Sequence, residues 1–216
     1  MRKLTFLLLV VLPFAALFAQ EGKFDRDIMA GVYADGGINI PVRLTTKYIT
    51  EETSPWHVGD SWFTGIKVSG MVSDHYRLEF AACYSGHRTS FELSPPIYKE
   101  KKVYSETFEM LSIPVTLKRY LQNGYFISAG TIIDYAPVSK PEWLDLQTGI
   151  GLTLGAGREF STKGITIDIS PGVELHSVVP FTEDTYHQRL FVAGLKIGLS
   201  YNLTHTVISQ EQGNQK

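Results

Sequence analysis

The sequence predicts an all-β fold, an eight-stranded antiparallel up-and-down transmembrane β-barrel with four long outer loops and three short periplasmic turns. Three observations carry this. Beyond residue 26, apolar residues alternate with small or polar ones at a period of two, which places them on one face of a strand and is incompatible with a helix. The alternating segments run about 10 to 14 residues, longer than the 5 to 6 usual in globular sheets and close to what crosses a bilayer at a tilt. The connections between them are by turns long and short.

The N-terminus comes first. Arg2 and Lys3 precede an apolar run from Leu4 to Phe18, broken only by Thr5 and Pro13, with small Ala19 after it. A basic head, about 15 apolar residues and a small residue form a secretory signal peptide. Residues 1–19 are therefore expected to be cleaved, with the barrel domain over 20–203 and a hydrophilic tail over 204–216. The run is shorter than the roughly 20 residues of a spanning helix, and Gln20 stands where a lipid-modified cysteine would have to be.

The strands follow in order. Residues 27–40 carry Ile28, Ala30 and Val32 on one face, 61–73 carry Trp62, Ile66 and Val68, and 76–88 carry Tyr76, Leu78, Phe80 and Ala82. Residues 106–120 present Leu111, Ile113, Val115 and Leu117. In 125–136, Tyr125, Ile127, Ala129, Ile133 and Tyr135 oppose Ser128, Gly130 and Asp134. In 148–160, Ile150, Leu152, Leu154 and Ala156 oppose a glycine-rich face ending at Glu159. In 165–178, Ile165, Ile167, Ile169, Val173 and Leu175 oppose Thr166, Asp168, Ser170, Glu174 and His176. The last segment, 190–203, is the cleanest: Phe191, Ala193, Leu195, Ile197, Leu199, Tyr201 and Leu203 oppose Val192, Gly194, Lys196, Gly198, Ser200 and Asn202.

Long connections cover about 41–60, 89–105, 137–147 and 179–189, and short ones 74–75, 121–124 and 161–164. Gln122-Asn123-Gly124 and Thr162-Lys163-Gly164 have the Asn and Gly content that tight hairpins use at positive φ. Long loops at one end and tight turns at the other mark an outer-membrane barrel. Its aromatic girdles are expected from Tyr76, Tyr125, Phe160 and Tyr201 at the short-turn end, and from Trp62, Tyr84, Tyr135 and Phe191 at the long-loop end. Outer-membrane lipid is then the first partner.

The stretch Met110-Leu-Ser-Ile-Pro-Val-Thr-Leu-Lys-Arg-Tyr120, followed by Asn123-Gly124-Tyr125-Phe126 and Ala129-Gly130, resembles the middle of the small outer-membrane β-barrel proteins of Bacteroidetes often called PorT-like, which share the OmpA-like transmembrane barrel layout. Ser112 stands where Glu is common in that family, and Tyr201-Asn202-Leu203 ends the last strand in place of a terminal aromatic. The resemblance implies an outer-membrane barrel and no particular substrate.

The face opposite the apolar one is expected to form a lumen charge network of Asp35, Lys67, Arg77, Glu79, Lys118, Asp134, Glu159, Asp168, Glu174 and Lys196. An eight-stranded barrel is only wide enough for side chains to fill it, so these groups are expected to pair across the lumen. A soluble barrel with an internal ligand would carry its apolar face inward, which conflicts with that charge. Inward Gly149, Gly151, Gly155, Gly157, Gly194 and Gly198 are expected to leave room for water.

No catalytic activity is expected. Glu174, His176 and Ser177 are close in sequence, but strict alternation turns Ser177 away from His176, and a Ser-His-acid site needs all three groups in reach of one another. His57, His75, His87, His187 and His205 fall on loops, turns and tail and read as solvated, without metal-ligand spacing. Cys83, the one cysteine, shares the inward parity of Glu79 and reads as a buried, inert thiol. No cofactor is expected.

The composition fits this picture. The 216 residues are 44% hydrophobic and 19% charged, with net charge −2, and the mean hydropathy of −0.02 excludes a helical membrane bundle. Scattered Lys and Arg give no basic patch for nucleic acid. The reading is thus a structural or surface-interaction protein of the outer membrane. The long loops, near Tyr48, Trp56, Trp62, Pro95-Pro96 and Lys99 to Lys102, are the expected contact surfaces for envelope or surface proteins. A narrow channel for ions or small solutes and a lipid-modifying enzyme are the alternatives.

Overall fold

Alternation in the chain becomes eight strands: β1 (Met29–Arg43), β2 (Trp56–Ser73), β3 (Tyr76–Leu93), β4 (Lys102–Tyr120), β5 (Tyr125–Tyr135), β6 (Gly149–Thr162), β7 (Ile165–Pro180) and β8 (Gln188–Asn202). The computed structural model describes residues 28–43, 56–93, 102–136, 144–182 and 187–203. The segment 1–19 expected to be a signal peptide, the tail over 204–216, Tyr48, Pro95-Pro96, Lys99 to Lys101 and His205 lie outside the described residues. Each strand pairs antiparallel with its sequence neighbours, and β1 pairs with β8 from Met29↔Asn202 to Arg43↔Gln188, closing the ring. Closure leaves no unpaired sheet edge, the condition for a sheet to cross lipid.

Two of the three short turns carry the expected positive φ. Lys163 and Gly164 have φ 47° and 82°, the pair that matches the twist of a two-residue hairpin, and Asn123 and Gly124, in the three-residue turn Gln122–Gly124, have φ 59° and 75°.

Burial is inverted relative to a soluble protein. Thirty large apolar side chains are exposed, fifteen apolar ones are buried, and twenty-three polar or charged residues are buried among the described residues. Ile66 (64%), Leu154 (57%) and Ile197 (51%) stand outward, while Lys67 (4%), Lys118 (5%) and Asp168 (2%) are sealed inside. Water would oppose that arrangement and a bilayer stabilises it.

The strands depart from the sequence expectation at the long-loop end. β2 begins at Trp56, β3 runs on to Leu93 and β4 begins at Lys102, each several residues beyond the alternating segment. The ladder persists there, as in Phe91↔Tyr104 and Leu93↔Lys102. Toward this end the outward positions include Arg88, Ser90, Ser105, Thr107 and Glu109 among apolar ones such as Val58 and Val103, so the apolar signal thins before the strands end. At roughly 3.3 Å per residue and a tilt near 40°, an 11-residue strand rises about 28 Å and an 18-residue strand about 45 Å. β5 is just long enough for a bilayer core, whereas β2, β3 and β4 project past it.

Candidate functional site: the barrel lumen

The ten predicted lumen charges are buried or half-buried. They divide into groups by level along the barrel axis. In the short-turn half, Lys67 on β2 contacts Asp168 on β7 and lies 3.6 Å from Glu79 on β3. Lys118 on β4 lies 2.9 Å from the same Glu79 carboxylate and 3.3 Å from Glu159 on β6. The Tyr120 hydroxyl donates to Glu159 at 2.7 Å. Five strands thus meet through one run, Asp168, Lys67, Glu79, Lys118, Glu159 and Tyr120, in which Glu79 and both lysines bridge two partners.

Arg77 departs from the expected pairing. Its guanidinium contacts the Met29 thioether, lies 3.4 Å from Met71 Sδ, and sits over the Tyr120 ring at 5.6 Å. On β3 it is one step toward the turn from Glu79, and two soft sulfurs and an aromatic face hold it at the barrel mouth.

At mid-height, Glu174 on β7 lies 3.9 Å from Lys196 on β8 and 3.5 Å from His176 Nε2. Lys196 also lies over the Tyr33 ring at 5.0 Å, and Asp35 faces it in register across β1 and β8. A cavity of about 30 Å³, lined by Asp35, Glu79, Lys118, Asp168, Glu174 and Lys196 among others, separates this group from the run below. It is large enough for one or two waters.

Asp134 belongs to the long-loop half. It accepts from Ser112 Oγ at 2.6 Å and from the Ser177 N–H at 3.3 Å, and its Oδ2 lies 3.1 Å from His176 Nδ1. Ser177 corrects the sequence expectation. Its φ is 53°, and the β6–β7 register slips between Ile150↔Val179 and Leu152↔Leu175. That bulge turns His176 and Ser177 both inward, each 0% exposed. A bulge breaks strict alternation without any signature in the residue pattern.

His87 is a second correction. It is 0% exposed within the lumen, because β3 continues beyond residue 88. Its imidazole lies between the rings of Phe63 (5.1 Å) and Phe108 (5.2 Å), with Ser61 Oγ 2.8 Å from Nδ1 and Ser85 Oγ 2.9 Å from Nε2. Phe63, Phe108 and Met110 form an apolar plug with Tyr33, Cys83, Leu144, Leu190 and Val192. The histidines at 57 and 75 are exposed and His187 is half-buried.

Part of the third long loop also turns inward. Leu144 is fully buried. Gln147 accepts from the Leu190 N–H at 2.9 Å and donates to the Gln188 carbonyl at 3.2 Å, and the Gln188 N–H donates to Asp145 at 2.9 Å. Residues 144–148 therefore seal the mouth against the start of β8. The inward glycines leave less room for water than expected. A methyl group at Gly149 would come within 2.6 Å of Ser177 Oγ, and one at Gly198 would collide with Lys67 and Asp168.

Of the girdle residues, Trp62, Tyr84, Tyr125, Tyr135, Phe160 and Tyr201 are exposed, and Tyr76 and Phe191 are half-buried. Trp62 meets Tyr84 edge-on at 5.6 Å and covers Gly86, where a methyl group would meet its indole within 3 Å.

No protein-family model matches the chain, and no curated protein matches it. The resemblance around residues 110–130 thus has no family match behind it. Among solved structures, the chain is similar to the outer membrane protein OprG from Pseudomonas aeruginosa, at 12% identity over 83% of this chain and 97% of that one, with a TM-score of 0.44. It is also similar to the outer membrane protein AlkL in DMPC lipid bilayers, at 11% identity over 86% and 95%, with a TM-score of 0.49. A third is Ail, the attachment invasion locus protein of Yersinia pestis, in complex with the heparin analogue sucrose octasulfate. There the identity is 10% over 82% and 99%, with a TM-score of 0.39.

Proposed function

We propose that this chain is a non-catalytic outer-membrane β-barrel of structural or surface-interaction type, of the small PorT-like kind, exported by its N-terminal signal peptide. The observation that carries the reading is an apolar exterior around a lumen filled at every level: ion pairs at the short-turn end, an aromatic plug and the inward segment 144–148 at the other. A barrel so filled serves as a membrane anchor. The projecting ends of β2, β3 and β4 then form a rigid base for loops that contact envelope or surface proteins. Catalysis is no part of this reading: Glu174, His176 and Ser177 come together in the lumen, but His176 and Ser177 are wholly buried.

A narrow passage is the second reading. It is favoured by the succession of ionisable groups from Asp134 through His176, Glu174 and Lys196 to the 30 Å³ cavity and the run below it. Planar-bilayer recording separates the two. The anchor reading predicts no unitary conductance from the refolded, heat-modifiable protein. Reproducible ion or proton current would favour the passage and overturn the anchor.

A further inference from the structure

We propose that the outward rim of β4–β6 at the short-turn end binds the phosphate headgroup of an anionic phospholipid through Arg119 and Arg158, an inference that rests on the reading of the chain as a membrane barrel. Both arginines are exposed and lie on the lipid-facing side. Leu117 and Leu121 flank Arg119 on that face, and Ala156 and Phe160 flank Arg158. An outward arginine is tolerated at the level of the headgroups and opposed at the bilayer centre, and both of these sit one or two positions from a turn or girdle residue.

The girdle holds one of them in place. The Arg158 guanidinium carbon lies 5.0 Å from the Tyr125 ring centre and 4.8 Å from that of Phe160. The rings hold the guanidinium without engaging its N–H groups in an ion pair, and its fork is well shaped for a phosphate. Arg119 pairs in register with Tyr76 on β3 and Ile127 on β5, and Arg158 pairs with Tyr125. One strand separates the two arginines. Strand spacing and a two-residue offset put their Cα atoms about 12 Å apart, a gap that two extended guanidinium side chains can close on one phosphate.

Charge complementarity selects the occupant. The carboxylates of Glu79, Glu159 and Asp168 face the lumen and are engaged by Lys67 and Lys118. Among the described residues, Asp74 at the tip of the first turn is the one carboxylate of this end outside the lumen. The long-loop rim differs: Asp60, Glu92 and Glu109 stand on the outward side there, and Arg88 donates to Ser105 at 3.1 Å. Arg119 also lines a shallow concavity of about 730 Å³ with Tyr76, Leu121 and Tyr125. The outward column beside it, Leu117 and Ile127, suits an acyl chain, so a lipid fits the site better than free phosphate.

The test is native mass spectrometry of the full barrel taken from vesicles of phosphatidylcholine alone or mixed in equal parts with phosphatidylglycerol. Wild-type protein is expected to retain phosphatidylglycerol preferentially. The preference should fall about five-fold in Arg119→Gln or Arg158→Gln, and further in the double variant, given the usual worth of one basic side chain at a charged membrane surface. Arg88→Gln, at the other rim, should leave it unchanged. Equal retention of the two lipids by wild type, or an undiminished preference in a double variant that keeps its heat-modifiable migration, would overturn the proposal. Displacement of the retained lipid by inorganic phosphate would do so too, as it would mark a soluble-anion site. A wild-type protein that fails to enter vesicles would instead defeat the barrel reading beneath it, and the proposal with it.

Discussion

At the short-turn end the lumen holds Lys67, Glu79, Lys118, Glu159 and Asp168 in a connected run of ion pairs, whereas at the long-loop end it holds the rings of Phe63, His87 and Phe108 in contact, with Met110 buried in the same apolar cluster. Both fillings occupy the lumen with side chains, and they depend on geometry in different ways. The ion pairs need partners from five strands at fixed levels, so they form only when the barrel has closed in one register. A slipped strand would leave a buried charge alone. The aromatic plug gains from apolar burial, which is non-directional. It is suited to the end where the strands lengthen and the segment 144–148 folds in.

The sharpest way to test this contrast is to remove the hub of the ion-pair run. Glu79→Ala leaves Lys67 and Lys118 sealed without their shared partner and should cost about 3–5 kcal/mol, read by denaturant unfolding of the refolded barrel. Replacing Lys67, Glu79 and Lys118 together with apolar residues of similar volume should recover most of that loss. If the single and triple variants are equally unstable, the carboxylate is not acting as a bridge.

In the other half, Phe108→Ala should cost about 3–5 kcal/mol, the usual range for truncating a buried phenylalanine. The same variant is the one expected to introduce a measurable leak in bilayer recordings. Glu79→Ala should not, since the plug above it stays intact.

Leu195→Arg addresses exterior against interior. Leu195 is midway along β8 and 46% exposed, so an arginine there should cost about 2–4 kcal/mol if it meets the bilayer midplane. Unchanged insertion efficiency would show that this face does not meet lipid. The smallest effect is expected at the turns. Lys163, at φ 47° before Gly164, should gain up to about 1 kcal/mol when changed to Asn, which adopts left-handed backbone more readily.

The two halves of the lumen were also unequally legible in the sequence. Lysine and glutamate at inward parity on alternating strands mark the charges of the short-turn end as lumenal, because within the bilayer every second residue must be apolar and its neighbours declare themselves by contrast. Past the bilayer that requirement lapses. Around His87 the outward residues are Gly86 and Arg88, so the strand lost its pattern and His87 read as a loop residue. Ser177 was hidden for another reason: a bulge depends on pairing with β6, which no local pattern records. Leu144 and Leu146 were a usable signal, since two leucines in a loop between polar residues ask to be buried, and Phe63 and Phe108 at inward parity pointed the same way. What pairs with what inside the lumen, such as Arg77 with methionines instead of a carboxylate, depends on the level at which each strand sits. Only the closed register supplies that.

β8 presents its apolar face outward and its polar face to a filled lumen. In a Cys83→Ser background, spin labels attached one at a time to cysteines replacing residues 192, 193, 195, 196, 197 and 199, which avoids the crowded Gly194 and Gly198, would read this directly, by collision with oxygen dissolved in the bilayer and with a water-soluble nickel complex. Strong oxygen collision is expected at positions 193, 195, 197 and 199 and little access by either reagent at 192 and 196, the odd-even contrast of a strand with one lipid-facing side. Nickel access at the even positions would contradict a filled lumen. Oxygen access at those positions with protection at the odd ones would contradict the orientation of the strand.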